Sequence, residues 1–439
     1  PAGISCAYYL AVEGYKVTVF EKEKTLGGML TLGIPNFRLE KDVINAEIDI
    51  LRELGVEFQV GVNIGEDMSI PELRKSGFNA FFLAIGAQGG RFLNLENEDA
   101  KGIESGVTFL KNVALQTGEK LTGKTVVIGG GNVAIDVART AQRYGSTQTS
   151  MFCLESRDTM PALQDEVHEA LAENITINNS YGPKSFIVEN GAVKGVIFKR
   201  CISVLNEEGR FAPKYDETDT ITVEADHVLI AVGQSIDWGK LLQGTKVELN
   251  PNNTIKVDSF TLQSTEKDIF AGGDVVTGPR YAIDAISLGK EGSISIHRFV
   301  QRGQSLVYGR SKHFFVSLDT SKIHADEYDK VTRQRSTTKH VSSLKGNFND
   351  PRTVMTEAQI LAETNRCLRC GVSIVDPYMC VGCGQCTTKC KFDAIHLVKK
   401  YDEQGVDFPD LKSVVIKNVL KRKVRITAKK VTSFFKGNE

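Results

Sequence analysis

No stretch of this chain approaches the ~18–20 consecutive apolar residues that a membrane helix needs, so no membrane span is expected. Neither sign of charge is in excess: 54 basic residues meet 54 acidic ones among 439, and the formal net charge is zero. That excludes a general electrostatic pull toward nucleic acid or an acidic membrane. Disulfide patterning is missing as well. Of nine cysteines, Cys6, Cys153 and Cys201 are scattered, and the other six crowd into residues 367–390. Such crowding points to metal ligation rather than a secreted disulfide framework, and hence to a reducing, cytoplasmic setting. The first residue is Pro1, not Met, and the front of the chain is read as cut. The length suits about three domains of ~150 residues.

The cysteines that are present carry a pattern. Cys380, Cys383, Cys386 and Cys390 spell C-x2-C-x2-C-x3-C, the spacing that wraps a chain around an iron–sulfur cluster. Soft thiolates suit such clusters and zinc. Gly382 and Gly384 let the backbone turn tightly over the cluster. Upstream, Cys367-Leu-Arg-Cys370-Gly-Val-Ser373 resembles the start of another run, with Ser373 where a third Cys would stand. Six cysteines fill one [4Fe–4S] cluster with two to spare. A second cluster would need an oxygen ligand such as Ser373, or a ligand from elsewhere. The alternative is a zinc ribbon on Cys367, Cys370, Cys380 and Cys383, which leaves Cys386 and Cys390 unused.

Two nucleotide signatures precede this run. Gly3 opens an apolar helix where the third Gly of G-x-G-x-x-G would sit, and Glu21 ends the strand that follows. An acid there can hold ribose hydroxyls. Gly27-Gly28 and Gly33 form two turns around Met29-Leu30, with Arg38 just beyond. Such bare backbone can approach a flat ring closely. Residues 40–55 read as a helix, and Phe81–Ala87 as a buried strand containing Gly86. The second signature is whole: the strand Lys124–Ile128, then Gly129-Gly130-Gly131-Asn132-Val133-Ala134, then a helix. This is G-x-G-x-x-A in its proper setting, where the helix N-terminus receives a pyrophosphate. The next strand leads to Glu155 and Arg157. Glu155 favours the ribose diol of NAD and Arg157 the 2′-phosphate of NADP, so both stay open.

Residues 184–224 alternate as antiparallel hairpins, and a buried strand then ends at Gly233. Ile269–Ala271 runs into Gly272-Gly273 and Asp274, an acid placed for a polyol chain, and Tyr281–Val300 reads as a helix. Residues 303–360 read as a polar connector extended along the surface. The tail Lys412–Glu439 carries nine Lys/Arg and one acid. It suits either a docking arm for an acidic partner or a solvated helix.

With these motifs assembled, the chain resembles the pyridine-nucleotide-dependent flavoproteins typified by the small subunit of glutamate synthase. Gly27–Leu30 with Gly33–Arg38, Gly129–Arg139, Ser156–Asp158 with Met160-Pro161, and Ala271–Asp274 carry the likeness. The resemblance implies an α/β protein with two Rossmann-like dinucleotide-binding domains and a small C-terminal ferredoxin-like domain. The FAD domain (1–115 and 236–305) is interrupted by an NAD(P) domain (116–235). The connector (306–360), the [4Fe–4S] domain (361–400) and the basic tail (401–439) follow. FAD would contact Gly3, Glu21, Gly28, Leu30, Arg38, Gly86 and Asp274, and Gly33, Gly233 and Gly273 would also bind a cofactor. The nicotinamide dinucleotide would contact Gly129, Gly131, Asn132, Val133, Ala134, Glu155 and Arg157. Cluster ligands would be Cys367, Cys370, Cys380, Cys383, Cys386 and Cys390. The implied activity is an NAD(P)H oxidoreductase relaying electrons through FAD and [4Fe–4S] to a partner protein or subunit, with no acid–base residue assigned. Glutamate synthase small subunit and non-catalytic relay subunit are the alternatives. The Cys run follows the flavin domain here, whereas glutamate synthase small subunits carry theirs before it. Members with a redox disulfide place a C-x2-C near the flavin, and the three scattered cysteines do not supply one.

Overall fold

A computed structural model describes residues 1–301, 303–310, 331–339, 343–344, 346–367, 380–389, 395–398 and 408–436. Two units divide the chain, 1–366 and 367–439. In the larger unit, helix α1 (Ala2–Val12) leads to strand β1 (Thr18–Glu21), and helix α2 (Lys41–Glu53) to β2 (Glu57–Val60). β1 and β2 pair in parallel, Thr18 opposite Glu57 through Glu21 opposite Val60. α2 buries Ile44, Ile48 and Leu51, one face at helical spacing. β3 (Phe81–Leu83) completes this stretch of the first lobe.

The chain then crosses to a second lobe through β4 (Gly89–Gly90). Its five-stranded sheet is parallel throughout, in the order β5 (Ile103–Ser105), β12 (His227–Ile230), β6 (Lys124–Ile128), β7 (Gln148–Cys153), β8 (Thr176–Asn179). Helices α3 (Gly106–Ala114), α4 (Asn132–Arg143) and α5 (Gln164–Ala172) belong to this lobe. β6 reads as an unbroken apolar run because both of its faces are covered. Val127 packs in a cluster with Ala134, Val137 and Ala138 of α4, and Val126 and Ile128 in another with Phe198. Each such side chain contributes about 1.5–3 kcal/mol of burial. The second face is covered by an antiparallel sheet of β9 (Tyr181–Glu189), β10 (Ala192–Leu205) and β11 (Phe211–Glu224). Phe152 and Phe198 stack across that contact, with ring centres 4.0 Å apart.

β13 (Gln234–Ser235) returns the chain antiparallel to β4. β14 (Ile269–Ala271) then pairs in parallel with β3, and helix α6 (Ala282–Val300) packs on α1. This packing is close: a Cβ on Gly289 would lie 2.3 Å from the Ala2 carbonyl oxygen.

Two boundaries differ from expectation. Residues 103–114 were expected in the first domain, which was drawn to 115. They form β5 and α3 and join the second lobe, β5 pairing with β12. A three-residue strand carries too little periodicity to be read, and the true crossing is the Gly89-Gly90 ribbon. The connector also does not stay extended along the surface throughout. Leu344 is buried, and Thr338 bridges antiparallel to Arg352. Helix α7 (Glu357–Asn365) opens on a capping box, Thr356 and Gln359 each bonding the other's main chain.

In the smaller unit the described elements are helix α8 (Gln385–Lys389), a short 3-10 helix (Phe408–Asp410) and helix α9 (Leu411–Lys436), the last two within the basic tail. Among the described residues no helix is long and apolar enough to cross a membrane.

Candidate dinucleotide cleft and cysteine run

A continuous cleft of ≈ 2750 Å³ runs between the glycine-rich turns of the two lobes. Ordinary small-ligand sites span roughly 300–1,000 Å³, so this one has room for more than one nucleotide. Gly3, Glu21, Gly28, Leu30, Gly33, Arg38, Gly86, Gly273 and Asp274 line it from the first lobe, and Gly233 from the crossing. Gly129, Gly131, Asn132, Val133 and Glu155 line it from the second. Ala134 and Arg157 are not on that wall.

Each glycine of the second turn has its own reason. Gly129 has φ +148° and sits where a Cβ would come 2.4 Å from the Ala231 carbonyl oxygen, so it makes the tight turn. A Cβ on Gly130 would lie 2.7 Å from a Glu155 carboxylate oxygen. Around Gly131 nothing stands within 4 Å, so its bare backbone faces open cleft. The first-turn N–H groups of α4 point where an anion is favoured. Asn132 Oδ1 accepts from the Leu163 amide at 2.8 Å, which ties the loop after β7 to the head of α4. Ala134 is fully buried, and its Cβ is what a Cβ on Gly129 would approach at 3.2 Å. It serves close helix–strand packing and is not on the cleft wall.

On the first-lobe side, Gly28 (φ +55°) and Gly86 (φ +69°) also border open space. Glu21 accepts from the Glu23 amide at 2.8 Å, and Asp274 from the Arg280 amide at 3.3 Å. Neither forms an ion pair among the described residues, and burial pushes both carboxyls above their usual range. Unpaired acids at the rim of bare-backbone turns fit the sugar and polyol hydroxyls of a dinucleotide. Arg157 leaves a buried Nη1 with no partner. Glu155 is held by its carbonyl, which accepts from the Ser180 amide at 3.0 Å and Asn179 Nδ2 at 3.2 Å.

Arg38 departs from its expected role. It lines the cleft, but Nη1 bonds Asp136 at 2.6 Å and Nη2 bonds Glu166 at 2.5 Å, both in the second lobe. Its charge is committed between lobes rather than to the first nucleotide. Burial raises the carboxyls of Asp136 and Glu166. Burial also lowers Lys41 to about 8; its Nζ donates to the Leu30 carbonyl at 2.8 Å and to that of Ile34. Beside Arg38, Phe37 is 1% exposed and lies under the guanidinium groups of Arg139 and Arg143, 4.6 and 4.0 Å from its ring centre. Those two arginines share Glu173 at 2.8 and 2.6 Å. Sequence reasoning missed this seam. The only hint was three basic and acidic residues at core positions of α4: Asp136, Arg139 and Arg143.

Of the expected cluster ligands, Cys367, Cys380, Cys383 and Cys386 are exposed, while Cys370, Cys390 and Ser373 lie outside the described residues. Among the described residues no three metal-ligating side chains stand together. What fits an iron–sulfur cluster is the donor chemistry and the backbone. Gly382 (φ +66°) and Gly384 (φ +77°) take left-handed turns between the thiols, and the Thr387 amide donates to the Gly384 carbonyl at 3.1 Å. Cys6, Cys153 and Cys201 are buried and free. Burial raises the thiol of Cys6 and pushes Cys153 to about 11, so neither is a reactive thiolate.

Residues 373–396 match the 4Fe-4S binding domain family, a span that holds four of the six expected ligands and omits Cys367 and Cys370. The NADP(+)-dependent formate dehydrogenase subunit beta of Moorella thermoacetica is 35% identical over 69% of this chain and 43% of its own length. The NADPH-Fe(3+) oxidoreductase subunit beta of Geobacter sulfurreducens is 30% identical over 84% of this chain and 60% of its own. The chain thus spans about half the length of these relatives. The Escherichia coli glutamate synthase [NADPH] small chain is 31% identical over 69% of this chain and 67% of its own, which bears out the resemblance read from the motifs. In fold, the chain is similar to FprA from Mycobacterium tuberculosis, with TM-score 0.58, 16% identity, and 68% and 82% of the two chains covered. It is likewise similar to Lactococcus lactis thioredoxin reductase, with TM-score 0.52, 19% identity, and 68% and 95% covered. Residues 1–289, carrying both lobes of the cleft, match the pyridine nucleotide-disulphide oxidoreductase family, and the chain belongs to that family.

Proposed function

We infer that this chain takes electrons from NADPH onto FAD in the cleft and relays them, through a [4Fe–4S] cluster on the cysteine run, to a partner protein or subunit. The observation that carries the reading is the single cleft lined by two separate sets of bare glycine turns, Gly28 with Gly86 and Gly129 with Gly131. A bound flavin supplies hydride chemistry and can pass on two electrons one at a time. The residues' tasks are binding and placement. Glu21 and Asp274 would hold the first nucleotide's hydroxyls, and the head of α4 the second's pyrophosphate. Together the two walls would bring the reacting atoms to roughly 3–3.5 Å.

NADPH is favoured over NADH on two counts. Arg157 carries an unbonded cationic nitrogen two residues past Glu155, and three relatives are named for NADP(H). Two of those relatives are beta subunits and one a small chain, which supports assembly with other subunits. Cysteines crowded as for metal ligation rather than spread as a disulfide framework support a reducing, cytoplasmic setting. The full chain, loaded with flavin under argon, should lose its yellow absorbance on adding NADPH. Arg157→Ala should weaken NADPH binding at least tenfold, as loss of a charge-assisted phosphate contact does, and leave NADH within about twofold. No bleaching by either nucleotide would sink the reading. Iron with acid-labile sulfide should accompany the protein; zinc without sulfide would replace the relay with a zinc ribbon.

A further inference from the structure

Among the described residues, the paired strands joining the two lobes are the two-residue ribbon of β4 and β13. So thin a link leaves the side chains at the seam a large share in setting the spacing of the lobes. The loop 33–38 leaves the cleft wall of the first lobe and brings Phe37 under the guanidinium groups of Arg139 and Arg143 of α4. A further contact to that ring comes from elsewhere in the chain. Phe348, far beyond the first lobe in sequence, packs its ring centre 6.5 Å from that of Phe37 and 6.3 Å from that of Tyr144. The main chain around it bonds both lobes. The carbonyl of Asn347 accepts from Arg143 Nη1 at 3.1 Å, the Gly346 amide donates to the Arg143 carbonyl at 3.1 Å, and the Phe348 carbonyl accepts from Asn36 Nδ2 at 3.3 Å.

We propose that residues 346–350 are a clasp between the lobes, with Phe348 as a positioning residue for electron transfer in the cleft. The clasp holds loop 33–38 against the C-terminal half of α4. That loop continues from the wall bearing Gly28 and Leu30, and the head of α4 bears the turn Gly129–Ala134. Fixing one to the other sets the distance between the two nucleotide walls. The inference rests on the proposed function, because that reading requires reacting groups on the two walls to meet within a narrow range. Small misplacements there are costly to rate and nearly invisible to binding, since each nucleotide is held mainly by its own lobe.

Phe348 is only half-buried, so replacing it leaves both lobe cores intact. In the full flavin-loaded chain, Phe348→Ala should lower the limiting rate of flavin reduction by NADPH roughly tenfold. The nucleotide's dissociation constant should stay within about twofold. Amides of Arg38 and Leu39, which bond the Pro35 carbonyl, should exchange hydrogen roughly tenfold faster. Phe348→Leu, which keeps an apolar filler, should restore most of the rate and the protection. An unchanged rate, or a rate loss matched by lost affinity, overturns the clasp. If the parent chain is reduced by neither nucleotide, the functional reading falls and hydrogen exchange alone decides: unaltered protection at Arg38 and Leu39 in Phe348→Ala then overturns the clasp.

Discussion

Buried charge is handled in opposite ways along the cleft wall and along the seam between the lobes. At the seam every guanidinium is paired with a carboxylate, although one oxygen each of Asp136 and Glu166 stays unbonded. Arg38 spans Asp136 and Glu166, and Arg139 and Arg143 share Glu173. On the wall, Glu21 and Asp274 are bonded by backbone amides alone and form no ion pair among the described residues. An unpaired buried charge is expensive. The seam avoids that expense and so adds rigidity. The wall tolerates it, and ionisable groups left in that state in a cleft mark a place where a ligand completes the bonding.

The seam should therefore be the more fragile of the two when cut. Arg143→Ala removes a partner of Glu173 and one of the two cations over Phe37, and it frees the carbonyl of Asn347. Breaking a buried pair by removing one partner costs about 3–5 kcal/mol. Denaturant unfolding of the ligand-free chain should show a loss in that range. A loss under about 1 kcal/mol, the usual worth of an exposed pair, would mean that the seam is no more than surface decoration.

A second comparison lies within one turn. Gly129→Ala forces a side chain into φ +148° and against the Ala231 carbonyl, a combined strain and overpacking cost of about 3 kcal/mol. Gly131→Ala meets no atom within 4 Å and has an extended backbone at φ −91°. Its stability should stay within about 1 kcal/mol of the parent's. Its methyl group would instead stand where a pyrophosphate must approach, and NADPH affinity should fall roughly tenfold. Equal stability losses in the two variants would erase the distinction between a glycine that shapes the fold and one that admits a ligand.

Which of these features the sequence discloses follows from how local they are. Gly129–Ala134 is legible because strand, turn and helix are consecutive, and the cysteine run because its spacing is itself the chemistry. Ala134 is ambiguous in the sequence, since a small third residue looks the same whether it faces a ligand or a strand. The seam was illegible because Phe37 and Arg143 meet from over a hundred residues apart, and Phe348 from two hundred more. Nothing in the neighbourhood of Arg38 says that its partners are Asp136 and Glu166 rather than a nucleotide. The edge strand β5 was missed for its length, three residues. The capping box at Thr356-x-x-Gln359 was present in plain letters and simply outweighed by the polar composition around it.

The smallest expected effect separates the wall from the seam by pH. Burial raises the Glu21 carboxyl, and the nearby Lys22 charge and the Glu23 and Lys22 amides offset it only in part. A carboxyl whose folded-state pKa exceeds its unfolded value holds its proton more tightly when folded, so the protein loses stability as pH climbs from the unfolded pKa through the raised one. Below the usual glutamate range Glu21 is neutral in both states and costs nothing. Glu21→Gln is neutral at every pH and escapes the loss. In flavin-free protein, the stability of Glu21→Gln relative to the parent should therefore rise between pH 4 and pH 8, while the same variant retains flavin less firmly. Were the offset between the two constant across that range, Glu21 would carry no unmet charge, and the wall would be as well paired as the seam.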